Sequence, residues 1–154
     1  MPTQQNIYRV TIQAPPETIF NYISDLTRHS EWSGGPLKVE ALSSGPVAAG
    51  SQYISHGDLP GQKNRRNELR VVKVQSPSLF EFVAKDPGFG EVVHTFTIKP
   101  QAEGRTLVER TVTTTLPPFM ALMSRLFLHP MIGKPMMNKS LASLKARLEK
   151  RPAT

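Results

Sequence analysis

The sequence predicts an α+β domain in which a curved antiparallel sheet wraps around a C-terminal helix. Three observations carry that expectation. Met137, Leu141, Leu144 and Leu148 recur at helical spacing on one stripe, while Lys139, Lys145, Arg147, Glu149 and Lys150 fall off it. Between Leu37 and Leu116, strand-like segments alternate with short breaks rich in glycine, proline or aspartate, the pattern of an antiparallel meander. No βαβ alternation, internal repeat or low-complexity tract interrupts that order. The 154 residues are expected to form a single domain, 1–154, long enough to bury a core without staples.

The first strand is Ile7–Gln13, with Tyr8, Val10 and Ile12 on one face. Ala14-Pro15-Pro16 stops it, and Pro16 suits the first turn of a helix, where its missing N–H costs nothing. Glu17 favours the positive end of that helix, and Ile19, Phe20, Ile23 and Leu26 give it an apolar face to about Asp25. Thr27–Trp32 forms a second short helix, capped by Asp25 or Thr27 and stopped by Ser33-Gly34-Gly35-Pro36. Strands follow over Leu37–Ser43, Ser51–His56, Lys63–Val74, Leu79–Ala84, Val92–Lys99 and Thr106–Leu116. After Pro117-Pro118, Phe119–His129 is helical in pattern, with Met120, Met123 and Phe127 on one side. Pro130 and Pro135, flanking Gly133, kink or break that helix before the last one, Met136–Arg151, begins.

Composition removes several function classes. Hydrophobic residues at 38% and charged residues at 20% belong to a soluble globular chain. The absence of cysteine excludes disulfides, thiolate metal sites and a cysteine nucleophile. The N-terminus has no secretion-signal pattern and no apolar run is long enough to span a bilayer, so a cytoplasmic location without a membrane span is expected. The net charge of +7 gathers at Lys63, Arg65, Arg66 and Arg70 and on the last helix. Without interleaved aromatics or a reading motif, it predicts a solvated basic surface and no nucleic-acid site. His29, His56, His94 and His129 lack metal-ligand spacing, and there is no phosphate loop or G-x-S-x-G elbow, so neither metal nor cofactor is expected.

The run Ile12-Gln13-Ala14-Pro15-Pro16-Glu17-Thr18-Ile19-Phe20, then Tyr22-Ile23-Ser24-Asp25 and Glu31-Trp32, resembles the opening of one superfamily. This is the SRPBCC group of START and birch-pollen-allergen-like proteins, and within it the polyketide cyclase/dehydrase-like branch. The element order, β-α-α-β6-α, matches over essentially the whole chain. The resemblance implies a helix-grip fold: a seven-stranded sheet gripping the last helix around an apolar cavity. Its members include cyclases and lipid and hormone carriers, so the fold does not choose the function.

One face of each strand would line such a cavity. Val92, His94, Phe96 and Ile98 share a parity, as do Val108, Arg110, Val112, Thr114 and Leu116, which turns His94 and Arg110 inward with Phe80 and Phe82. On Lys63–Val74 the pattern favours Arg66, Glu68, Arg70, Val72 and Val74 inward over Leu69 and Val71, and a one-residue bulge would reverse that. Tyr53 and His56 lie on opposite faces, so at most one points in. His94 is either a general acid or base or a core histidine. Arg110 must meet Glu68, another carboxylate or a ligand oxygen, because a lone buried guanidinium is costly. Trp32 is placed at the cavity mouth. Met120, Met123, Phe127, Met137 and Leu141 read as helix core that also suits an apolar ligand.

The expected function is binding of a small hydrophobic or aromatic ligand, lipid- or polyketide-like, by Trp32, Tyr53, Arg70, Phe80, Phe82, His94, Phe96, Arg110, Met120, Met123, Phe127, Met137 and Leu141. The alternative is a cyclase or dehydratase in which Arg110 or Arg70 polarises a carbonyl and His94 moves a proton. A third reading is partner-protein binding through the basic face. Either a monomer or a homodimer is compatible with all three.

Overall fold

The structure, a computed structural model, describes residues 3–59, 61–88 and 90–149. Lys150 and Arg151, expected at the end of the last helix, and Pro60, in the break after the second strand of the meander, lie outside the described residues. Seven strands run in chain order: β1 (Thr3–Ile12), β2 (Leu37–Ala41), β3 (Gln52–Leu59), β4 (Gln62–Gln75), β5 (Leu79–Asp86), β6 (Gly90–Pro100) and β7 (Thr106–Thr115). All pairings are antiparallel, in the spatial order β1-β7-β6-β5-β4-β3-β2. The meander is therefore continuous from β2 to β7, and β1 completes the far edge by pairing with β7.

Two short helices close one end. Helix α1 (Pro16–Ser24) begins with its proline in the first turn and buries Ile19, Phe20, Tyr22 and Ile23. A 3-10 turn, Leu26–Glu31, follows, and the Asp25 side chain accepts from Thr27 N at 3.2 Å, the cap the sequence suggests. Gly34, just beyond it, lies so close to the last helix that a Cβ there would collide with the Met136 carbonyl.

The last third is one unbroken helical run in three parts: α2 (Pro118–Met123), a π-helical stretch (Ser124–Gly133) and α3 (Lys134–Glu149). Of the kink or break expected at Pro130, a break does not occur, but the helix leaves α-geometry there. The wider π-helical turn absorbs the proline, whose missing N–H and ring would disrupt an α-helical ladder. Ser140, Leu141, Leu144 and Leu148 of α3 are buried against the sheet, and Met137 packs beside them. Residues 118–133 behave differently. Met120 and Phe127 are exposed, as are Phe119, Leu122, Leu126, Leu128 and Met131, so the apolar side expected there is not core. A hydrogen bond of 2.6 Å between the Tyr8 hydroxyl and His129 Nε2 ties this stretch to β1. Among the described residues no helix is long and apolar enough to cross a membrane.

The favoured face of β4 is also corrected. Leu69 and Val71 are buried, Arg65 and Asn67 turn inward, and Arg66, Glu68 and Arg70 are exposed. The register with β5 shifts between Val71 and Lys73, a bulge that swaps the faces so that Val74 packs on the core again. Arg70 therefore leaves the site, and Glu68 pairs with Arg66 at 3.4 Å on the surface rather than with Arg110.

Candidate functional site

Sheet and helix form a half-open cavity of about 250 Å³. Its walls are largely apolar: Leu37, Val39, Leu69, Phe82, Ala84, Val92, Met136 and Met137. Polar groups gather at two levels. His94 is paired with Phe82, and Gly90 with Asp86, so the two levels are four residues apart along β5, roughly 13 Å of strand.

At the first level sits Arg110, brought inward by the uninterrupted alternation of β7 and only 2% exposed. Its guanidinium lies 5.1 Å from the Phe96 ring centroid and 5.7 Å from that of Trp32. Nη2 donates to His94 Nδ1 at 3.1 Å, and Nη1 donates to Ser140 Oγ at 3.4 Å. Ser140 in turn donates to the Trp32 carbonyl at 3.0 Å. The buried Nε finds no hydrogen-bond partner. No aspartate or glutamate forms an ion pair with this arginine, and all 12 of them lie among the described residues. Burial, only slightly offset by the Tyr8 hydroxyl, brings its pKa down to about 10, so it remains charged at neutral pH.

The imidazoles around it are neutral. Burial first, then the Arg110 charge, pushes His29 down to about 3. His94 is held well below the usual histidine range by burial, Arg110 and His29, in that order. Arginine has no acceptor, so His94 Nδ1 must accept and its proton resides on Nε2. His94 stacks on Phe82 with centroids 4.8 Å apart, and His29 stacks on Trp32 at 4.3 Å. Trp32 is fully buried behind His29, not at a mouth, because the 3-10 turn folds it under the sheet against Phe96.

The second level holds a paired arginine. Arg65 Nε donates to Asp86 Oδ2 at 2.9 Å and its Nη2 donates to Oδ1, a two-pronged contact, while Gly88 N donates to Oδ1 at 2.7 Å. Oriented with its nitrogen toward Asp86, the Asn67 amide adds a bond of 3.1 Å.

Of the residues expected at the site, Phe82, His94, Arg110 and Met137 line the cavity. Tyr53, Phe80, Phe96 and Leu141 are buried in the core but do not line it. Arg70, Met120 and Phe127 are exposed, and Met123 is only half-buried and off the cavity. His29, Ser140, Arg65, Asn67 and Asp86 were not foreseen. Ser140 had a signal, since it falls on the apolar stripe of α3 between Met137 and Leu144. Among the described residues no group of three metal-ligating side chains forms.

Solved structures share this architecture. A truncated norcoclaurine synthase from Thalictrum flavum superposes with a TM-score of 0.75 at 14% identity, covering 97% of this chain and 95% of that one. A Thermus thermophilus protein gives 0.74 at 20% identity, covering 94% and 97%. A START superfamily protein from Mycobacterium smegmatis gives 0.73 at 16% identity, again covering 94% and 97%. At such identities the likeness establishes the fold. No curated protein matches the chain in sequence. The family model described as polyketide cyclase / dehydrase and lipid transport matches residues 7–149, and the chain belongs to that family.

Proposed function

We propose that the protein binds a small, largely apolar ligand in the cavity between sheet and α3, and releases it unchanged. The observation that carries this reading is the largely apolar, half-open cavity of about 250 Å³, whose inner wall includes the core residues Val39, Leu69, Phe82 and Ala84. A cyclase or dehydratase would require a side chain that moves a proton. His94 is the group placed for it, but its Nδ1 lone pair is occupied by the Arg110 hydrogen bond and its other nitrogen carries the proton, so the ring offers no free base. Binding without turnover asks nothing further of either residue.

The test uses N-phenyl-1-naphthylamine, an uncharged probe whose fluorescence rises in apolar surroundings. Saturable uptake by protein that circular dichroism shows to be folded is the expected result, with quenching of Trp32, the single tryptophan. No uptake by the folded protein, of this probe or of smaller aromatic ones, would overturn the reading.

A further inference from the structure

We infer that the ligand is a small monoanion, a carboxylic acid of about one or two rings or comparable bulk, whose carboxylate is held by Arg110. This rests on the cavity reading above and adds the ligand's charge and size. The charge follows from what surrounds the guanidinium. A buried cation is retained in folded proteins when an anion or a full set of acceptors compensates it. Arg110 has neither from its own chain: two neutral acceptors engage its terminal nitrogens, Nε has none, and no aspartate or glutamate pairs with it. Its neighbours cannot supply the missing charge, because His29 and His94 are either neutral or cationic and Ser140 is committed to the Trp32 carbonyl. An anionic head group brought in by the ligand would complete the site. One uncompensated cation at this level matches one negative charge; the other cavity arginine, Arg65, is already matched by Asp86.

The size follows from volume. An apolar protein cavity of about 150 Å³ holds benzene, whereas drug-sized ligands occupy about 300–1,000 Å³. At about 250 Å³, the interior of this cavity suits one or two rings, and a long chain would have to extend through its open side into water. The aromatic wall of Phe82 with His94 stacked on it favours a flat body beside the head group.

Competition against bound N-phenyl-1-naphthylamine reads the inference directly. 2-Naphthoate should displace the probe at least about tenfold better than 2-naphthamide, its neutral counterpart, as expected for a charge-assisted contact. Hexadecanoate should compete more weakly than 2-naphthoate. In Arg110→Met the acid and the amide should become equal while the probe still binds, and Arg110→Lys should retain part of the preference for the acid. Equal displacement by acid and amide in the unaltered protein would overturn the acid inference, yet leave the cavity reading standing. Stronger competition by hexadecanoate would overturn the size class. Failure of the probe itself to bind would instead remove the cavity reading. The comparison of acid with amide needs only the unaltered protein, so it decides the question even if a variant does not fold.

Discussion

Arg65 and Arg110 line the same cavity, and both are withdrawn from solvent, but their surroundings are opposite. Arg65 meets a carboxylate on two nitrogens, and that carboxylate is held in turn by a backbone N–H. Arg110 meets an imidazole, a hydroxyl and two ring faces. The first arrangement is complete without a ligand and joins β4 to the end of β5. The second leaves a charge that the chain does not balance. Buried charge alone therefore does not point to a ligand; the proposed acid site rests on a buried charge without a counterion.

The largest effect expected from this contrast is on stability at the paired end. Arg65→Met would strand Asp86 in a site where its side chain is 8% exposed. Removing one partner of a buried pair costs about 3–5 kcal/mol. Urea denaturation should show a loss of that order, and Asp86→Leu combined with Arg65→Met should recover more than half of it, since no charge is then left unpaired. A loss below about 1 kcal/mol in the single variant would mean that the two ends do not differ as described.

The two arginines also differed in how readable they were. Arg110 was legible because β7 alternates without interruption from Thr106 to Thr115, so the valines at 108 and 112 fix the direction of the residue between them. Arg65 was not, because the bulge between Val71 and Lys73 exchanges the faces of β4 and nothing in the local sequence marks it. Asp86 stands directly before Pro87-Gly88, a sequence typical of a turn, and only the β4–β5 pairing brings it to Arg65. The same contrast separates the two halves of the last helix. Its second half obeys the apolar stripe, whereas residues 118–133 carry the pattern without the burial, Met131 being 72% exposed. Periodicity reports which side chains could share a core, but not whether a core reaches them.

An intermediate effect concerns pH and the histidines at the Arg110 end. In the unfolded chain they take up protons near pH 6.5, whereas the folded chain protonates His29 only near pH 3 and His94 well below 6.5. Below pH 6.5 the unfolded state thus holds more protons, so stability is full above that value and falls as pH is lowered. The slope approaches about 1.4 kcal/mol per pH unit for each histidine. Urea melts between pH 7.5 and 5 should show this decline. A decline of half that size would mean that one of these rings is solvated; a flat profile would mean that both are, and the neutral surroundings assigned to Arg110 would have to be abandoned.

The smallest expected change is at Arg110 itself. Arg110→Met removes the desolvation cost of a buried charge, which stabilises the fold, and keeps most of the side-chain volume against Phe96 and Trp32. It also takes the hydrogen-bond donor from His94 Nδ1, and an unsatisfied buried acceptor costs about 1–3 kcal/mol. Ser140 loses little, because its own proton still goes to the Trp32 carbonyl. These effects oppose one another, so the net change in urea stability should lie within about 1 kcal/mol of zero, against the several lost at Arg65. The two cavity arginines would then separate cleanly: one needed for folding, the other nearly dispensable to it. A loss at Arg110 as large as at Arg65 would show that the chain already stabilises this charge, and the reason for assigning it to a ligand would disappear.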